Sequence, residues 1–131
     1  MAFNTNQVVL DGFTQNDHVF TMYGSGDITI DDVGKAVSLD TSADATVKLA
    51  EDGEAIYGRV FQVEDRSQEG VVTVSVETRF RKRVRKESAT VINRGDTVVG
   101  AGNGFVKAAA AADSAKNTVL AVADDYVIVQ Q

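Results

Sequence analysis

Arg79, Arg81, Arg83 and Arg85 recur at every second position within "VVTVSVETRFRKRVRK", residues 71–86. On an extended strand they share one face over about 20 Å, at roughly 3.3 Å per residue. Guanidinium forks in register suit carboxylates or phosphates, so the chemistry this spacing offers is anion binding. With Lys82 and Lys86 the stretch holds six of the chain's 13 Lys and Arg residues. Setting these and Glu77 aside leaves seven bases against 18 acids. Lys82 and Lys86 fall on the other face, with Phe80 and Val84 between them. The strand is therefore expected to leave the domain near residue 81, or to turn back there as a protruding hairpin. A plainer reading makes the run a basic edge strand that discourages aggregation, or one that pairs with the domain's own carboxylates. The four arginines in register favour binding.

Other chemistry finds little support. The chain has no Cys, which removes disulfides, thiolate metal sites and cysteine nucleophiles. His18 is the single histidine and stands beside Asp17, so a His-based metal cluster is excluded and a plain structural histidine is the better reading. HExxH, GxSxG and P-loop patterns are absent. The acidic pairs Asp31-Asp32, Glu64-Asp65 and Asp124-Asp125 could bind a cation only if both members faced one way, and neighbours on a strand point to opposite faces. They read as solvated turns. "GAGNG" from residue 100 lacks the following helix that a dinucleotide site requires, because "FVKA" continues as strand. Arg94-Gly95-Asp96 fits a turn before "TVV" better than an adhesion tripeptide. No catalytic residue, cofactor or metal is expected, and the protein is read as a non-enzyme.

The net charge of −6 argues against nucleic acid as a general partner, since phosphate affinity comes mainly from Lys and Arg. A nucleic-acid-binding β domain using residues 79–86, with Phe80 as a stacking group, is the alternative function. No apolar run approaches the roughly 18 residues needed to span a bilayer, and "MAFNTNQ" lacks the features of a secretory signal. A soluble protein made in a cytoplasm, without a membrane partner, is expected.

The elements that must hold the arginines are strands. Val-, Ile-, Thr- and Phe-rich runs recur between turn signals: "HVFTMY", "KAVSLD", "ATVKLA", "AIYGRVFQVE", "GVVTVSVETRF", "DTVVG", "GFVKA", "TVLAVA" and "DYVIVQ". Val72, Val74, Val76, Thr78 and Phe80 form one face of the clearest strand and belong to a core. Thr118–Val122 and Tyr126–Val129 form a hairpin, Asn103-Gly104 a tight turn, and "TIDDVGK" a short helical turn capped by Thr29 or Asp31 and ended by Gly34. "KAAAAADSAKN" is too short and too uniform for a stable helix and reads as a surface loop. The fold class is mainly β: a compact small β-barrel or β-sandwich-like domain with short helical turns, spanning residues 27–131. Residues 1–26 read as an extended N-terminal arm studded with Phe3, Phe13 and Phe20 around "QVVL", although "QVVL" or "HVFTMY" is equally readable as an ordinary first strand.

The order "DDVGKAVSLD", "ADATVKLAEDGEAIYGRVFQVED", "GVVTVSVETRF", "RGDTVVGAGNGFVKAA", "VLAVADDYVIVQ" resembles the small head decoration, or capsid cement, proteins of tailed bacteriophages, including the lambda-type relatives. The resemblance covers about residues 27–131 and rests on glycine-turn and strand patterns. It implies a β-rich protein on the outer surface of an expanded capsid, part of the virion. Its partners would be the major capsid protein and its own copies, with a trimer favoured and a dimer as the alternative. The contact set is then Phe3, Val8, Val9, Leu10 and Phe13 on the arm, with Arg79, Arg81, Lys82, Arg83, Arg85 and Lys86 on the basic stretch, touching the capsid or a sister subunit. The basic run after "SVET" is where the chain departs from that family's pattern.

Overall fold

The computed structural model describes residues 18–110 and 117–131, so the arm residues Phe3, Val8, Val9, Leu10 and Phe13, and most of the alanine-rich loop, lie outside the described residues. The protein is mainly β. Five strands close into a barrel: β1 (His18–Gly24), β2 (Ala36–Leu39), β3 (Thr46–Leu49), β4 (Gly58–Arg66) and β5 (Val71–Arg79). Their order around it is β1-β3-β2-β4-β5. Closure comes from β1, which runs parallel to β3 and antiparallel to β5. "HVFTMY" is thus the first barrel strand, the second of the two readings given to it, and the barrel begins before residue 27.

The barrel interior follows from alternation. Val74 and Val76 of β5 point inward with Val37, Val47, Leu49, Val60 and Val63, and Ile28 joins them from the loop after β1. β-branched side chains suit such a pleated, enclosed surface. Gly58 opens β4 where a side chain would not fit: a Cβ there would lie 2.5 Å from Val76 Cγ1 and 2.7 Å from the Glu77 carbonyl. Between β1 and β2 lies the expected turn, a single 3-10 turn (Ile30–Asp32). Thr29 caps it, and Asp32 reaches back to the Thr29 N–H at 2.8 Å, completing a capping box.

A second layer stands against the barrel. β6 (Arg81–Arg85), β9 (Thr118–Val122) and β10 (Tyr126–Gln130) form a sheet of order β6-β10-β9, and β7 (Val98–Gly102) pairs with β8 (Phe105–Ala108). The C-terminal hairpin and the Asn103-Gly104 turn are as expected, both turn residues having the positive φ, 53° and 79°, that a tight β-turn requires. The core here unites Phe80, Val84, Ile92, Val98, Val106, Val119, Val127 and Val129 with Ala36 and Ala50 from the barrel side. The Asn117 amide extends this layer, accepting from the Val98 N–H at 2.7 Å and donating to its carbonyl at 3.1 Å.

The expectation that the basic strand leaves the domain or protrudes is corrected at Phe80. β5 ends at Arg79, and Phe80 turns into the second core, 4% exposed, while its backbone pairs in both directions with Gln131. β6 then runs antiparallel to β10 as part of the body. The inward lysines are tolerated there because each finds oxygen partners in place of water.

Candidate functional site

Period-two spacing puts Arg81, Arg83 and Arg85 on the outer face of β6, opposite Gln130, Ile128 and Tyr126 of β10. Arg79 belongs to β5, before the break, so the expected row of four is a row of three with a separate neighbour. Each of the three is positioned by a different contact. Arg81 Nε donates to Gln130 Oε1 at 3.1 Å. The Arg83 guanidinium lies 4.5 Å from the centre of the Tyr126 ring, diagonally across the sheet. Arg85 Nη1 donates to the Asp31 carbonyl at 2.7 Å and faces the Phe105 ring at 5.8 Å, which Lys35 approaches at 4.8 Å.

Among the described residues, none of Arg79, Arg81, Arg83 or Arg85 forms an ion pair. Pairing with the domain's own carboxylates therefore does not account for them. An open groove of about 640 Å³ runs beside Arg83 and Arg85. Arg59, Phe105 and Tyr126 contribute to its walls, and so do the acids Glu87 and Asp125.

The other two bases of the run have internal duties. Lys82 Nζ reaches Glu77 Oε2 at 2.7 Å. Glu77 is fully buried and also accepts from Arg59 Nη1 at 2.7 Å, so one carboxylate bridges β4, β5 and β6. Lys86, 5% exposed, donates to the carbonyls of Asp124 at 2.8 Å, Thr90 at 3.0 Å and Glu87 at 3.3 Å. This corrects the place of Lys86 in the contact set: an ammonium enclosed by three carbonyls is a staple between two turns. Glu77 was missed as a functional residue, its signal being a lone acid on the outward face of β5 just before the bases. Phe80, proposed as a stacking group for nucleic acid, is in the core and presents no face to a base.

The acidic pairs divide. Asp32 is buried and bonded to Lys35 at 2.8 Å. Burial pushes its carboxyl up, but the Lys35 ammonium and the Thr29 N–H outweigh this and hold it below the usual carboxylate range. Among the described residues no group of three His, Asp or Glu side chains could hold a metal ion. "GAGNG" forms the β7–β8 hairpin, and Arg94-Gly95 forms a turn in which Asp96 accepts from the Asn93 N–H at 2.9 Å.

No protein-family model matches the chain, and no curated protein does. Among solved structures, it matches the crystal structure of the pre-mature bacteriophage phi29 gene product 12, with a TM-score of 0.58 and 14% identity. The match covers 92% of this chain and 22% of that one, so the chain spans about a fifth of that protein's length. At this identity the likeness is one of fold: the chain shares its architecture with part of a bacteriophage protein.

Proposed function

We propose that this chain is a non-enzymatic structural protein of a phage virion, a decoration or cement protein that binds the outer surface of the expanded head and braces it against the pressure of packaged DNA. The observation that carries the reading is the row Arg81, Arg83 and Arg85, without ion pairs among the described residues and displayed by a packed sheet in a fold shared with part of a phage protein. Such a row suits an anionic counterpart. A protein surface repeated many times over a shell supplies one.

The energetics favour a lattice over a single site. One exposed ion pair contributes only about 0.2–1 kcal/mol. Linked copies engage several sites together, and effective concentration then raises avidity by roughly 10² to 10⁴. The proposal accordingly includes a homo-oligomer, a trimer by preference, and an N-terminal arm whose Phe3, Val8, Val9, Leu10 and Phe13 anchor along the shell, where backbone hydrogen bonds to a capsid sheet edge would add to the grip. The major capsid protein is the proposed partner.

Cryo-electron microscopy of particles assembled from the genome that encodes this chain tests the proposal. Density for the barrel at repeated positions outside expanded heads, and none on unexpanded shells, is expected. Heads that expand fully without the protein bound anywhere on them would refute it.

A further inference from the structure

We propose that the groove beside β6 takes an extended, carboxylate-bearing segment of a partner protein, with Arg83 and Arg85 as the anion-binding pair. This rests on reading the arginine face as a contact surface and specifies what that face holds.

Four observations converge. First, the two guanidiniums are oriented yet uncommitted. Arg83 lies on Tyr126 and, among the described residues, donates no side-chain hydrogen bond to the protein, while Arg85 gives one nitrogen to the Asp31 carbonyl. Of the five N–H donors on each guanidinium, most remain for a ligand, and their orientation costs a ligand little.

Second, the edge of β6 is closed at this point. The Arg85 N–H donates to the Gly34 carbonyl at 3.0 Å, and Arg59 Nε donates to the Arg83 carbonyl. A partner strand cannot add to β6 here through its backbone. Recognition must come from side chains on the face.

Third, the spacing suits an extended chain. Arg83 and Arg85 are two residues apart on one strand, about 6.6 Å along it. Acids at alternate positions of an extended segment recur at the same interval.

Fourth, the groove is of mixed charge. Glu87 and Asp125 line it together with the arginines, and the whole chain carries −6. The phosphates of a nucleic-acid strand would meet these two acids as like charges, which disfavours it beside them. A peptide offers them backbone N–H groups or a basic side chain while its carboxylates meet the arginines.

Fluorescence anisotropy with the full chain at low salt tests this. The probes are a labelled peptide with glutamate at alternate positions and a labelled oligothymidylate of equal net charge. The peptide should bind more tightly than the oligonucleotide, and Arg83→Ser with Arg85→Ser should weaken it about ten-fold, in keeping with two exposed charge pairs. Arg94→Ser, on the exposed turn after Asn93, should leave binding unchanged. Because Arg85 also ties down Asp31, the single variant Arg83→Ser, which removes no side-chain hydrogen bond among the described residues, should lose part of the affinity while its unfolding transition shifts by no more than the lost Tyr126 contact. Tighter binding of the oligonucleotide, or a peptide affinity indifferent to the double variant, would overturn the proposal. Particle binding separates it from the wider reading: peptide loss with particle binding retained supports the groove and removes it from the shell contact, whereas particle binding lost in the double variant without any peptide affinity overturns the groove and leaves the shell contact standing.

Discussion

Arg59 and Glu77 meet at 2.7 Å across the β4–β5 pair, and the carboxylate so held is fully buried. Lys82 closes on its other oxygen at 2.7 Å from the neighbouring sheet, so this trio couples the barrel to the layer that displays the arginines. Truncating one member of a buried ionic group leaves the others uncompensated, at a cost of about 3–5 kcal/mol. Glu77→Ala is therefore expected to lower stability by that order in urea unfolding. A double-mutant cycle with Lys82→Met should show strong coupling, because removing both charges leaves less unpaired than removing the acid alone. Additive effects would mean that the two groups stand independently.

Lys86 predicts a different kind of loss. Its ammonium joins the turn after β6 to the turn between β9 and β10 through three carbonyls. Lys86→Met keeps much of the stem's packing and deletes the donors, so about 1–3 kcal/mol should be lost. Peptide binding measured on the folded variant should fall far less than in the Arg83→Ser, Arg85→Ser double variant, since Lys86 borders the groove but is buried. A binding defect without a stability defect would return Lys86 to the contact surface.

Asp32 gives the protein an acid-sensitive joint. Its folded carboxyl is held below the ordinary value of 3.8, against burial, by Lys35 and by the Thr29 N–H. The unfolded chain then binds the proton more readily, so the contribution is complete above about pH 4 and fades as pH falls through the folded value. Asp32→Asn should be less stable than wild type near neutrality, and the gap should narrow below pH 4. Thermal unfolding at several pH values checks this. A gap that is constant with pH would assign the loss to the cap's hydrogen bonds alone.

Gly58 tests how closely β4 crosses β5. An added methyl would meet Val76 Cγ1 at 2.5 Å and the Glu77 backbone at 2.7 Å. Overpacking of this kind costs about 1–3 kcal/mol. Gly58→Ala should shift the thermal midpoint downward accordingly, and an unchanged midpoint would show that the strands can separate without penalty.

What the sequence revealed and what it hid follow from how far each feature reaches along the chain. The Asn103-Gly104 turn, the capped turn at Thr29 and the C-terminal hairpin were legible because local φ preferences and short-range hydrogen bonds decide them. The alternation of Val72, Val74 and Val76 likewise announced a barrel strand. The break at Phe80 was hidden, since the period-two pattern runs unbroken across it and only pairing with β10 and Gln131 ends one sheet and begins another. Lys82 and Lys86 looked misplaced on an apolar face for the same reason. Their partners are Glu77, on the preceding strand, and the Asp124 carbonyl, far along the chain. Of the basic site, the face of Arg81, Arg83 and Arg85 was readable from spacing, while the rings of Tyr126 and Phe105 that orient it come from elements the sequence could not place beside it.

Occupancy on virus particles bears most directly on the account as a whole. Purified expanded heads lacking the protein would be incubated with wild type and with Arg81→Glu plus Arg83→Glu across a salt series, and bound protein counted after sedimentation. Saturable binding that weakens with salt and drops sharply on charge reversal is the predicted result. Binding that ignores both salt and reversal, or no binding at all, would contradict it.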